Sequence, residues 1–247
     1  MHTLDYPPGF AWFEYFLSNN FVARGLVEDE WLDERCLELL PDDDNEPSER
    51  CVRFQRWTVV LSDAVLFLGA YLFSNSFRAL KVSKGVDANE AVILVFFLII
   101  TNPGLLILDH IHFQYNGMLI GLLLCSMTCI LRGSQTQQIK GHKWELFGSA
   151  FFAMLLSMKH LYMTLAPLYL VYLLRHHCFV TRREKTSSQT TLQFSVSRFT
   201  MLAVITLICF LGPFVPFLTQ KNPIGQMKQI LKRLFPFGRG VSGHLCF

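Results

Sequence analysis

Long apolar runs separated by short polar loops begin at residue 58, after a polar and strongly acidic opening segment. Six runs stand out, over 58–77, 91–108, 117–131, 146–158, 161–174 and 199–219. A simple helical span of a bilayer takes about 20 residues. The first and last runs meet that length, and the shorter ones imply tilt, breaks or re-entry. Asn102-Pro103-Gly104 predicts a break in the second run, and Gly212-Pro213 with Pro216 predicts a kink in the last. Residues 146–174 read equally as two short helices or one broken one. The pattern predicts an all-α, multi-span helical integral membrane protein in three parts. These are a non-spanning segment over 1–57, a transmembrane region of about six spans over 58–219, and a basic amphipathic tail over 220–247.

The opening segment has its own order. Asp5-Tyr6-Pro7-Pro8 reads as stiff and extended, because two prolines fix φ and push the residue before them out of the helical region. Phe10 to Leu17 then predicts a short aromatic helix lying in the membrane interface. The acidic stretch that follows reads as a solvated insert. The seven cysteines form no spaced framework; Cys36 and Cys51 share this polar segment and could pair in an oxidising lumen, which is the lesser of the two readings.

Composition sharpens the class. Hydrophobic residues make up 51% of 247, with 23 Phe, too apolar for an ordinary soluble domain. The net charge of +3 hides an asymmetry: residues 28–49 hold eleven acids against one base, Arg35. The bases elsewhere fall mainly in short loops between apolar runs, a signature of membrane topology and not of nucleic-acid binding. Arg78, Lys81 and Lys84, then Arg132, Lys140 and Lys143, then Arg175, Arg182, Arg183, Lys185 and Arg198 place three loops in the cytosol by the positive-inside rule. Alternation from there puts Asp5-Tyr6-Pro7-Pro8, the segment Asp109–Asn116, Lys159-His160 and the tail on the opposite, lumenal side. The tail is basic (Lys221, Lys228, Lys232, Arg233, Arg239) and so breaks the rule, which suggests attraction to an anionic lipid head.

The densest chemistry is Leu108-Asp109-His110-Ile111-His112-Phe113-Gln114-Tyr115-Asn116-Gly117, set between two apolar runs. Polar side chains at a membrane boundary are costly, and their default reading is a site facing protein or water; the bland alternative is an aromatic belt with polar neighbours. A sugar transferred from a lipid phosphate needs a base for the acceptor hydroxyl and charge neutralisation at the leaving phosphate. Asp5, Asp109, His110 and His112 have the chemistry for the first role. Lys159, Lys232, Arg233 and Arg239 have it for the second. His110-x-His112 lacks a third ligand, and no metal is expected there. Lys159-His160 also reads as a snorkelling helix end, Asp63 as a paired structural acid, and Met227–Phe237 as an interfacial anchor.

These motifs, with Thr3-Leu4 ahead of Asp5-Tyr6-Pro7-Pro8, Met158-Lys159-His160-Leu161-Tyr162 ahead of Ala166-Pro167, and Arg233-Leu234-Phe235-Pro236-Phe237-Gly238-Arg239-Gly240, resemble one family. It is the endoplasmic-reticulum, dolichyl-phosphate-glucose-dependent α-1,3-glucosyltransferases, multi-span C-type glycosyltransferases of the asparagine-linked glycan pathway. The resemblance runs from Thr3 to Gly240 and is greater to the member adding the second glucose than to its sister adding the first. It implies inverting α-1,3 transfer of glucose from dolichyl-phosphate glucose to monoglucosylated, nine-mannose, dolichol-pyrophosphate-linked oligosaccharide, with no cofactor. It implies an endoplasmic-reticulum membrane setting with the active site facing the lumen. Asp5, Asp109 and His110 would be catalytic. Tyr6, His112, Gln114, Asn116, Lys159, His160, Lys232, Arg233 and Arg239 would bind substrate. Family members open with a further helix and lumenal acid and continue through more spans, so this chain is expected to be a fragment carrying the middle of the enzyme. The rival readings are the sister glucosyltransferase, an inactive fragment, and a lipid-binding membrane protein without chemistry.

Overall fold

The computed structural model describes residues 6–19, 21–28, 31–33, 36, 48–79, 87–135, 141–183, 190–219 and 221–235. Helices dominate: α1 (Pro8–Asn19), α2 (Phe21–Glu28), α3 (Glu49–Ser76), α4 (Ala88–Ile100), α5 (Pro103–His112), α6 (Asn116–Gln135), α7 (Gly141–Met158), α8 (Ala166–Leu173), α9 (Val196–Leu211), α10 (Val215–Leu218) and α11 (Pro223–Leu234). One antiparallel hairpin, β1 (Phe179–Arg183) with β2 (Thr190–Phe194), separates α8 from α9. The sequence pattern carried no expectation of it. It forms where β-branched and aromatic residues replace the helical run, pairing Phe179 with Phe194 across the strands at 5.4 Å.

Among the described residues, four stretches are long and apolar enough to cross a membrane: Glu49–Ser76, Ala88–His112, Asn116–Gln135 and Val196–Leu218. The expected breaks occur inside them. Asn102 caps α5, its Oδ1 accepting from the backbone N–H of Gly104 at 2.9 Å, and Pro103 opens the helix. Gly212–Phe214 tightens to a 3₁₀ turn before α10. The run over 146–174 is broken: α7 stops at Met158, Lys159 is extended, and a 3₁₀ turn over His160–Leu165 leads into α8. The first run also starts earlier than expected. Ser48 caps α3 through the N–H of Cys51, so the helix begins at Glu49, inside the segment read as non-spanning. Arg50, Arg53 and Arg56 conceal that polar first part from a hydropathy reading. Cys36 and Cys51 are joined as a disulfide.

The helix α6 is the centre of the assembly, clasped by α3 and α7, while α4 and α9 expose rows of large apolar side chains suited to lipid contact. Ile93, Leu94, Phe97 and Leu98 form such a row on α4, and Val204, Leu207, Ile208 and Leu211 another on α9. The α3–α6 crossing depends on Gly69 and Gly121. A Cβ on Gly69 would strike the Gly121 backbone, and one on Gly121 would strike the Val65 backbone. Such close approach supplies the van der Waals packing that joins helices in lipid. On the other side, Phe152 stacks on Tyr169 at 3.7 Å, and the Ser126 hydroxyl donates to the Gly148 carbonyl at 2.6 Å.

Gly121→Leu should force α3 and α6 apart. Overpacking alone costs roughly 1–3 kcal/mol, and here the obstruction is backbone. A clear drop in the melting temperature of the detergent-solubilised protein is expected, whereas Gly212→Ala, whose Cβ meets nothing within 4 Å, should melt like the native chain.

Candidate active site

The turn between α5 and α6 is where the polar cluster folds on itself. Phe113 ends α5 in the left-handed region (φ 51°, ψ 44°). That backbone costs a non-glycine residue roughly 1–2 kcal/mol. It reverses the chain so that the Asp109 carboxylate meets the start of α6. Asp109 Oδ1 accepts from the Asn116 N–H and from Asn116 Nδ2, each at 3.0 Å, and Oδ2 accepts from the Gly117 N–H at 2.5 Å. An acid on the open amides of a helix N-terminus is favoured twice, by the hydrogen bonds and by the helix dipole. Asp109 is 2% exposed, so those bonds are its solvation.

From Asp109 the network runs outward. The other Asn116 amide hydrogen serves Gln114 Oε1 at 2.8 Å, and Asn116 Oδ1 accepts from Lys159 Nζ at 2.6 Å. Lys159 comes from the break after α7, and its ammonium lies 5.9 Å from the centre of the Tyr6 ring. Burial lowers the Lys159 pKa from its ordinary value, and the nearby Asp109 charge acts against that shift. On the α3 side, Asp63 Oδ2 holds His110 Nε2 at 3.0 Å, bearing out the reading of Asp63 as a paired acid. Gly117 makes room for both acids: a Cβ there would lie 2.9 Å from Asp63 Oδ1 and 3.1 Å from Asp109 Oδ2.

Above the network opens a cavity of about 190 Å³ lined by residues that include Tyr6, Glu14, Gln114, Tyr115, Asn116 and Lys159. The helix α1 forms its wall. Phe13 packs edge-on against Tyr115 at 5.1 Å, and Tyr115 shares a hydrogen bond with Thr58 of α3 at 2.9 Å. Burial pushes the Tyr115 phenol above its ordinary pKa, and the Thr58 bond pulls it back. Trp12 on the outer side of α1 donates to the Pro213 carbonyl at 2.9 Å, tying this wall to the end of α9.

Of the residues singled out in the sequence, Tyr6, Gln114, Asn116 and Lys159 meet at this cavity, with Asp109 directly behind them. His110 is turned to Asp63. His112 is exposed and has no hydrogen-bond partner among the described residues. His160 sits against Phe235 at 6.1 Å, which brings the end of α11 to this side of the molecule. Lys232 and Arg233, in the last turn of α11, are exposed and do not line the cavity. Asp5 and Arg239 lie outside the described residues. Glu14 escaped the sequence reading, although its place four residues after Phe10 puts the two on one face of α1. Glu14 is exposed along its length, but burial of its carboxyl raises its pKa above the ordinary value.

Residues 1–244 match the sequence profile described as the ALG6, ALG8 glycosyltransferase family. Three relatives carry the name dolichyl pyrophosphate Glc1Man9GlcNAc2 alpha-1,3-glucosyltransferase. The chain is 37% identical to the one from Arabidopsis thaliana over 239 residues, covering 97% of this chain and 39% of the relative. It is 38% identical to those from Mus musculus and Neurospora crassa, again over 97% of this chain and over 40% and 41% of theirs. The chain thus spans about two fifths of the length of the curated relatives it matches.

The raised Glu14 pKa fixes the sign of a pH effect. Folding favours the protonated acid, so its contribution is full below the unfolded pKa of about 4.3 and is lost as pH rises through the folded value. Glu14→Gln, uncharged at every pH, should therefore gain melting temperature relative to the native chain as pH rises from about 4 to 7. A difference that stays flat across this range would contradict the burial of the carboxyl.

Proposed function

Starting from a chain that belongs to the ALG6, ALG8 glycosyltransferase family, we propose that it forms the active-site part of a membrane α-1,3-glucosyltransferase. The donor is dolichyl-phosphate glucose. The acceptor is the monoglucosylated, nine-mannose oligosaccharide on dolichol pyrophosphate, so the enzyme adds the second glucose of the asparagine-linked glycan precursor. The names of the relatives support this acceptor. The reaction belongs at the lumenal face of the endoplasmic-reticulum membrane, which the basic loops at Arg132, Arg175 and Arg198 support by their position away from the Asp109 end.

The observation that carries the reading is the half-buried Lys159 ammonium, hydrogen-bonded to Asn116 beside a cavity bordered by a carboxyl group and aromatic rings. Inverting transfer from a lipid phosphate is one displacement: the acceptor oxygen attacks the anomeric carbon as the phosphate departs. The leaving group is the dolichyl phosphate monoester, whose developing charge must be met, and Lys159 is assigned that role, with Lys232, Arg233 and Arg239 as further cations for the lipid phosphate. Glu14, on the cavity wall, and Asp5, next to Tyr6 in the sequence, are assigned as acceptors for the hydroxyl proton. His110, its ring oriented by Asp63, is assigned a contact to acceptor hydroxyls together with His112 and Gln114; His160 supports the lysine turn. Asp109 is a positioning residue in this scheme, acting through Asn116 on Lys159.

Membranes carrying the protein should be supplied with labelled dolichyl-phosphate glucose and, in parallel, the unglucosylated and monoglucosylated lipid-linked acceptors. Only the monoglucosylated acceptor should be extended, and Lys159→Met should lower the rate by about 10²–10³-fold, the loss seen when one charge-stabilising donor is removed. Extension of the unglucosylated acceptor would assign the chain to the first-glucose reaction. Extension of neither would assign it to lipid binding without chemistry.

A further inference from the structure

A second polar cluster lies at the far end of α7. His142 and Glu145 share one face of its first turns, and His177 enters from a five-residue π-helical turn, Leu174–Cys178, that follows α8. Single π turns recur at functional sites. The 17 residues from His142 to Lys159 place the cluster about 25 Å from the glycosyl-transfer cavity, at a rise of about 1.5 Å per residue. Nothing in the proposed reaction uses it.

Glu145 is 3% exposed and His177 1%, deep burial for ionisable groups. His177 Nδ1 and Glu145 Oε2 are 2.7 Å apart. His142 Nδ1 faces the same oxygen at 3.6 Å, beyond hydrogen-bonding distance, and the two imidazoles meet edge-on at 5.3 Å. One donor atom from each of the three residues lies within 4.8 Å of the others. A simple histidine–glutamate pair explains one ring nitrogen and leaves His142 Nδ1 and His177 Nε2 buried without a partner. Buried polar atoms in that condition are rare and call for an explanation.

We propose that His142, Glu145 and His177 form a binding site for a divalent transition-metal ion of the zinc class. Two imidazoles and one carboxylate are a recurrent zinc set, leaving a fourth position for water. The nitrogen donors select against calcium and magnesium, which take oxygen. Zinc holds such ligands at about 2.0–2.2 Å, so the donors close on the ion by side-chain rotation and His142 Nδ1 gains the partner it lacks. Arg198, whose guanidinium reaches the His177 carbonyl at 3.5 Å, is the cation packed beside the triad. Its charge opposes a dication, and the Glu145 carboxylate is the ligand that offsets it. The ion ties the start of α7 to the end of α8 at the end of the bundle opposite the cavity.

The test uses the whole protein purified without a polyhistidine tag, stripped with chelator, and titrated with Co²⁺ and then Zn²⁺. Saturation at one equivalent with visible ligand-field bands, bleached by Zn²⁺, is expected, together with a Zn²⁺-dependent rise in melting temperature. His142→Ala, at a partly exposed position, should keep the metal-free melting temperature yet weaken Zn²⁺ binding by about 100-fold or more; Glu145→Gln provides the second variant. Absence of saturable binding, weak binding of several equivalents, or His142→Ala and Glu145→Gln both binding as the native chain does would overturn the proposal.

Discussion

The Asp109 carboxylate against the first turn of α6 is the contact on which the site depends. Its two oxygens take three donors from Asn116 and Gly117, which pins the left-handed turn at Phe113 and closes α5 onto α6. An unsatisfied buried polar group costs about 1–3 kcal/mol, and more if charged, so the acid and the amides need each other. The same bonds orient Asn116, whose oxygen holds Lys159 from α7. A helix cap and the ordering of the Lys159 ammonium are thus one network. Gly117 is part of that constraint, since a side chain there would collide with Asp63 and Asp109 together.

The rest of the fold supplies the frame for this turn. Gly69 and Gly121 let α3 approach α6 closely, which brings Asp63 to His110 and Thr58 to Tyr115. Phe10 and Phe13 press α1 over Tyr115 and close the cavity on the outer side. Small residues in the spans and aromatic rings at their ends serve the same purpose. They place costly polar groups where protein surrounds them and leave the apolar rows of α4 and α9 for lipid.

Much of this was legible in the sequence where one local rule dominated. Proline and asparagine chemistry gave the breaks at Asn102-Pro103 and Gly212-Pro213, and the cost of an intramembrane acid gave the pairing of Asp63. The density of polar residues over 109–116 marked the turn, though not that Asp109 faces inward to cap α6, because capping from a preceding helix depends on the backbone at Phe113. Glu14 stayed hidden because one acid on an aromatic helix carries no local signature. The triad of His142, Glu145 and His177 was hidden for a different reason: His177 lies 32 residues beyond Glu145 and reaches it only through the π turn. The apolar runs over 146–158 and 161–174 left open two short helices or one broken one, and the chain is interrupted at Lys159, beside the contact that stacks Phe152 on Tyr169.

The most direct test of the account is an experimental structure of the protein with a non-transferable dolichyl-phosphate-glucose analogue bound. The analogue's phosphate should lie within about 3 Å of Lys159 Nζ, its sugar in the cavity bounded by Tyr6, Glu14 and Gln114, with Asn116 still bound to Asp109. A phosphate seated elsewhere, with Lys159 remaining on Asn116 and the cavity unoccupied, would contradict it.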